Sequence, residues 1–139
     1  MKIFKDKIEF STKRELDIVD ITDKVRERVS ISGIKEGIIN IFVPGATGAI
    51  TTIEYEPGLI SDFKEILKEL IPERESWKHN LSHSDMNAHS HLRASIIGPS
   101  LTVPVEDGRP VLGIWQQIVF VELDVRARRR RLEIRIIGE

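Results

Sequence analysis

The sequence predicts an α+β domain dominated by antiparallel β-sheet, in two packed layers with two to three helices. Three observations carry this reading. The final third of the chain is a series of β-rich runs joined by short turns. Leu132, Ile134 and Ile136 alternate with Arg131, Glu133 and Arg135, the period of a strand with one core face and one wet face. Leu59, Phe63, Ile66, Leu67 and Leu70 make a single apolar stripe at helical spacing. The 139 residues, 40% of them hydrophobic, suit one domain spanning 1–139 with a core of its own.

In chain order, Phe4, Ile8 and Phe10 share one face of an extended segment, with Asp6 as the exception on that face. Leu16 and Ile18 suggest a second strand. Asp20 or Thr22 caps a short helix in which Val25 and Val29 lie one turn apart, and Gly33 suits its C-terminal end. Gly37–Val43 is apolar enough to be a strand buried on both faces. Pro44-Gly45-Ala46-Thr47-Gly48 breaks it, and Ala49–Tyr55 resumes as strand. The striped helix follows Pro57-Gly58 and stops before Pro72. Glu73 to Asn87 is polar and aperiodic, and reads as a loop of the kind that often carries function. His89–Ile97 starts a short helix ended by Gly98-Pro99. Leu101–Val105, a turn at Glu106–Arg109, then Trp115–Leu123 and Leu132–Ile137 complete the sheet, with Trp115 read as core.

Composition narrows the chemistry. There is no cysteine, which excludes disulfides, thiolate metal sites and thiol catalysis, and fits a reducing cytoplasm. Lys and Arg number 21 against 22 Asp and Glu, so the basic excess of a nucleic-acid-binding domain is missing, and nucleic acid is not expected as a partner. The charged start Lys2-Ile3-Phe4-Lys5 does not read as a signal peptide. No apolar run nears the ~20 residues that cross a bilayer, so the reading is a cytoplasmic protein without a membrane partner.

All four histidines, His79, His83, His89 and His91, fall within thirteen residues, with Asp85 and Asn87 among them. Imidazole and carboxylate are ligands for borderline divalent metals and the commonest proton-transfer groups near neutral pH. The spacing matches no standard zinc signature. If His89-x-His91 is extended, both rings lie on one side; if it is helical they diverge by about 200°. The simpler alternative is a solvated loop with scattered histidines. Gly45-Ala46-Thr47-Gly48 is either a tight turn or a cradle presenting N–H groups to phosphate. In Arg128-Arg129-Arg130-Arg131, alternate members of a strand face opposite ways, so at most two enter one site, where guanidinium forks suit phosphate oxygens. A solvated edge that discourages aggregation is the other use. Glu54, Gln116 and Glu122 stand in apolar runs, where a buried carboxylate needs a partner.

Asn87-Ala88-His89-Ser90-His91-Leu92-Arg93-Ala94-Ser95 is followed in order by Gly98-Pro99-Ser100, Val103-Pro104-Val105, Asp107-Gly108-Arg109, Gly113-Ile114-Trp115-Gln116-Gln117, Glu122 and the arginine run. This ordered set closely resembles the YjbQ-like, or secondary thiamine-phosphate synthase, family. The likeness is strongest over Trp77–Arg131. The resemblance implies a sheet-rich α+β homotrimer with polar clefts between subunits. It also implies a weak synthase activity on small phosphorylated molecules, in which thiazole phosphate displaces pyrophosphate from a hydroxymethylpyrimidine diphosphate.

Carried onto this chain, His91 and Asn87 match the polar motif, with His89 and Asp85 as neighbours. His79 matches an upstream histidine, and Gln116 and Glu122 match the Gly-x-Trp-Gln segment and the acidic position after it. The expected roles are proton transfer or metal binding by His89 and His91, joined by His79 as a ligand, and orientation by Asp85. Arg129 and Arg131 bind phosphate, Arg129 pairing with Glu122. A divalent metal, Mg or Zn, is the only cofactor expected. Two departures stand out: Pro44-Gly45-Ala46-Thr47 replaces a His-Thr stretch, and Asp124-Val125-Arg126-Ala127 replaces Asp-Gly-Pro. The rival readings are a metal-dependent phosphoester hydrolase and a non-catalytic trimer that binds a metal or metabolite.

Overall fold

The computed structural model describes residues 1–139. It is an α+β structure with two antiparallel sheets and four helices, one helix more than the sequence predicts. The strands are β1 (Lys2–Ser11), β2 (Ile18–Asp20), β3 (Gly37–Phe42), β4 (Gly48–Ile53), β5 (Ser100–Glu106), β6 (Arg109–Pro110), β7 (Gln117–Glu122) and β8 (Arg129–Gly138). The helices are α1 (Thr22–Ser32), α2 (Pro57–Leu70), α3 (Lys78–Ser82) and α4 (Ala88–Ile97). One sheet has the order β1-β8-β3-β5-β6, the other β2-β7-β4.

Alternation along the strands decides how the sheets stack. Ile39 and Ile41 of β3, Leu132, Ile134 and Ile136 of β8, and Ile118 and Phe120 of β7 all point into one core between the two sheets, closed by Val25 and Val29 of α1. The opposite face of the small sheet, with Ala49, Val119 and Val121, meets Leu67 of α2 and Ala94 of α4 in a second core. β7 is thus buried on both faces, whereas β3 is not. Ile38 and Phe42 are 44% and 40% exposed, because no layer covers the outer face of the large sheet.

Local chemistry explains most boundaries. The Asp20 carboxylate accepts from the Thr22 N–H and hydroxyl as α1 begins, and Gly33 closes that helix at φ 72°. The Glu56 side chain caps α2 by accepting from the Leu59 N–H. Only Leu67 of the α2 stripe is fully buried, since the small sheet offers the helix a narrow seat. Trp115 is 72% exposed on a turn before β7 and belongs to neither core. No helix is long and apolar enough to cross a membrane.

Candidate active site

The polar segment between α2 and α4 is not all loop, since Lys78–Ser82 coils into the short helix α3. Together α3 and α4 sort the histidines. In α4, Asn87 lies just before the first turn and His91 one turn later on the same side, while His89 points the other way. His89 is completely buried, its Nε2 2.9 Å from Glu15 Oε2 and its Nδ1 without a partner. His79 instead packs edge-on against His91, ring centroids 4.9 Å apart, and stacks on His83 at 4.4 Å. The expected ligand set His79, His89 and His91 therefore does not assemble, because the helix separates His89 from the other two. No three His, Asp or Glu side chains in the structure are grouped to hold a metal ion.

His91, Asn87 and Asp85 open onto a polar cavity of about 370 Å³, with Thr47, Asp124, Arg126 and Arg128 on its other walls. Asp124 is the fixed charge of this cavity. Burial works to raise its pKa, but the Val125 N–H at 2.8 Å, the Asn87 amide at 3.4 Å and Arg128 at 2.5 Å together hold the carboxyl below its ordinary value. The Oδ1 atom of Asn87 is buried and has no partner. A second, larger hollow of about 690 Å³, lined by Trp77, His79 and Leu92, meets the first at His91. His91 thus stands at the junction of a polar and a more apolar compartment.

The other expected residues fall elsewhere. Glu122 is fully buried and pairs with Arg130, not Arg129. It also accepts from Thr12 Oγ1 at 2.8 Å and the Asp124 N–H at 3.1 Å. Strand β8 begins at Arg129, and its parity turns Arg130 inward with Leu132, leaving Arg129 and Arg131 on the wet face. Arg131 there pairs with Glu133 at 2.9 Å. Gln116 caps the far end of β7, where its amide donates to Thr52 Oγ1 at 3.2 Å and its carbonyl accepts from the Gly113 N–H. Six residues of strand put it about 20 Å from Glu122, so the two cannot share a site within one chain. Glu54 is exposed.

Sequence reasoning gave no site role to Asp124 and Arg126, chose Arg129 and Arg131 from the arginine run in place of Arg128, and left Thr47 between a tight turn and a phosphate cradle. The four-residue spacing of Asp124 and Arg128 beside the arginine run was the available signal. It also missed Glu15, which lies 74 residues from His89 and gives no local sign of the contact.

The family model described as "UPF0047 protein YjbQ-like" matches residues 6–139. The chain belongs to this YjbQ-like family. A UPF0047 protein of Methanothermobacter thermautotrophicus is 40% identical over all of this chain and 95% of its own length. The UPF0047 protein YugU of Bacillus subtilis is 35% identical over 92% of this chain and 94% of its own. Among solved structures, a YjbQ-like protein of Sulfolobus solfataricus superposes with a TM-score of 0.94 at 45% identity, covering 99% of both chains.

Membership brings a fold but no reaction, and this corrects the expected function. The YjbQ-like relatives carry only the family designation, and the Sulfolobus protein is described as of unknown function. Thiamine-phosphate synthase activity is therefore withdrawn, and so are the phosphoester hydrolase and metal- or metabolite-binding trimer alternatives, none of which gains support from these relatives.

Proposed function

We propose that the chain is an enzyme that performs general acid–base chemistry on a small polar substrate bearing an anionic group. The supporting observation is the convergence of His91, Asp85, Asn87, Asp124, Arg126 and Arg128 on one open cavity. His91 is the group suited to carry a proton, since imidazole exchanges protons near neutral pH and the ring is half-buried at the cavity wall. Asp124 stays ionised and fixes Asn87 and Arg128 in place. Arg126, exposed at the rim, is placed to hold an anion.

The test is consumption of a compound from a small-molecule extract, followed by proton NMR, with His91→Asn run beside the wild type. A compound consumed only by the wild type supports the reading. An extract left unchanged by both, or altered equally by both, overturns it.

A further inference from the structure

α4 has a second face with a different polar hollow. Arg93 follows His91 by two residues, so its side chain leaves the helix on the opposite side, away from the proposed catalytic cavity. There it lines a cavity of about 560 Å³ together with Arg14, Glu15, Lys64, Lys68 and Glu73.

Arg93 is only 2% exposed, an unusual setting for a guanidinium. Its Nε donates to the Ile71 carbonyl at 3.0 Å and one Nη donates to Glu15 Oε2 at 3.3 Å. Its other Nη makes no hydrogen bond, so a nearly buried cation presents unused N–H donors to the hollow. The acceptor that would use them, Glu15 Oε2, is already shared with His89. Lys64 and Lys68 stand one turn apart on α2 and face the same space, and none of Arg14, Lys64 and Lys68 is in an ion pair. Four cations around two carboxylates leave the hollow with an excess of two positive charges.

We infer that this hollow is a binding site for a small dianion, separate from the His91 cavity. Arg93 receives the ligand's oxygens through its planar fork, and Lys64 and Lys68 close over it as mobile point charges. The excess charge matches a doubly charged oxyanion, either a phosphate or a dicarboxylate.

The experiment follows ¹H–¹⁵N NMR shifts of the full chain at constant ionic strength while hydrogen phosphate or succinate replaces chloride. The expected result is saturable movement of the Arg93 Nε–H signal and of the Lys64, Lys68 and Glu73 amides. The stronger of the two ligands then names the class. Arg93 is buried and its replacement endangers the fold, so the control is the surface double variant Lys64→Ala/Lys68→Ala. It should bind about tenfold more weakly through loss of two solvent-screened positive charges. Shifts that grow without saturating, shifts confined to residues of the His91 cavity, or a double variant that binds as tightly as the wild type would each overturn the inference.

Discussion

Arg130 and Glu122 face each other between the two sheets, one from β8 and one from β7, and are 5% and 0% exposed. The pair has further partners. Arg130 also donates to the Thr47 carbonyl and hydroxyl, both at 3.1 Å, while Glu122 takes the Thr12 hydroxyl. It therefore joins β7, β8, the residue just after β1 and the turn before β4 at one rim of the core. That turn and the neighbouring Asp124 also wall the proposed catalytic cavity.

Removing one partner strands the other's charge in a dry site. Arg130→Ala should cost about 3–5 kcal/mol, whereas the joint replacement Glu122→Leu/Arg130→Met should cost clearly less. Urea unfolding of the three proteins tests this. Equal losses for the single and double variants would show that packing, and not the stranded carboxylate, sets the cost.

Asp124 ties stability to pH. Its folded pKa lies below the unfolded value, so its contribution is complete above about pH 3.9 and is lost as the pH falls through the folded pKa. The stability gap between wild type and Asp124→Asn should be level from pH 7 to about pH 5 and should narrow below about pH 4. A gap that stays level down to pH 2 would mean that the carboxylate's charge contributes nothing.

His89 and His91 should separate core from site. His89→Ala opens a fully buried cavity and leaves Glu15 with one partner fewer, at an expected cost of about 2–4 kcal/mol. His91→Ala, at a half-exposed ring, should shift stability by less than about 1 kcal/mol. Denaturant midpoints measured in parallel decide it, and the reverse ranking would contradict the packing described for α4.

Much of this was legible in the sequence, and the gaps have physical causes. Period-two patterning placed β1 and β8, and the Gly98-Pro99 stop placed the end of α4. Of the histidine segment, His91 and Asn87 line the candidate cavity. Composition at a boundary did not supply phase on its own. Four consecutive arginines carry no alternation of their own, and only the phase of Leu132, Ile134 and Ile136 carried back by one period puts Arg130 on the core face. Likewise His89 and His91 share a face or diverge according to whether the backbone there is strand or helix. Partners far apart in the chain, such as Glu15 with His89, left no local pattern. The buried setting expected for Trp115 failed because a β-rich run was extended back into a turn.

Gly37 sits opposite Gly138 where β3 meets β8, and a Cβ on Gly37 would stand 2.0 Å from the Ile137 carbonyl oxygen. Since backbone cannot yield as a side-chain tip does, Gly37→Ala should cost about 1–3 kcal/mol and lower the thermal midpoint. A variant that melts with the wild type would show that the strand end relaxes freely.

That pair of glycines also bears on how β8 finds its alignment. A slide of β8 by two residues against its neighbours would keep every apolar side chain on the inner face and offer Glu122 another arginine in place of Arg130. The ion pair alone does not exclude this slide, but the slide would carry Arg130 into the fully buried, apolar slot of Leu132. The glycines add a second barrier. A Cβ on Gly138 would lie 2.0 Å from the Glu36 carbonyl oxygen, so the slipped strand would drive a bulky residue into backbone at that point. Two residues without side chains thus act as a second index mark by which a repetitive strand is read in only one frame.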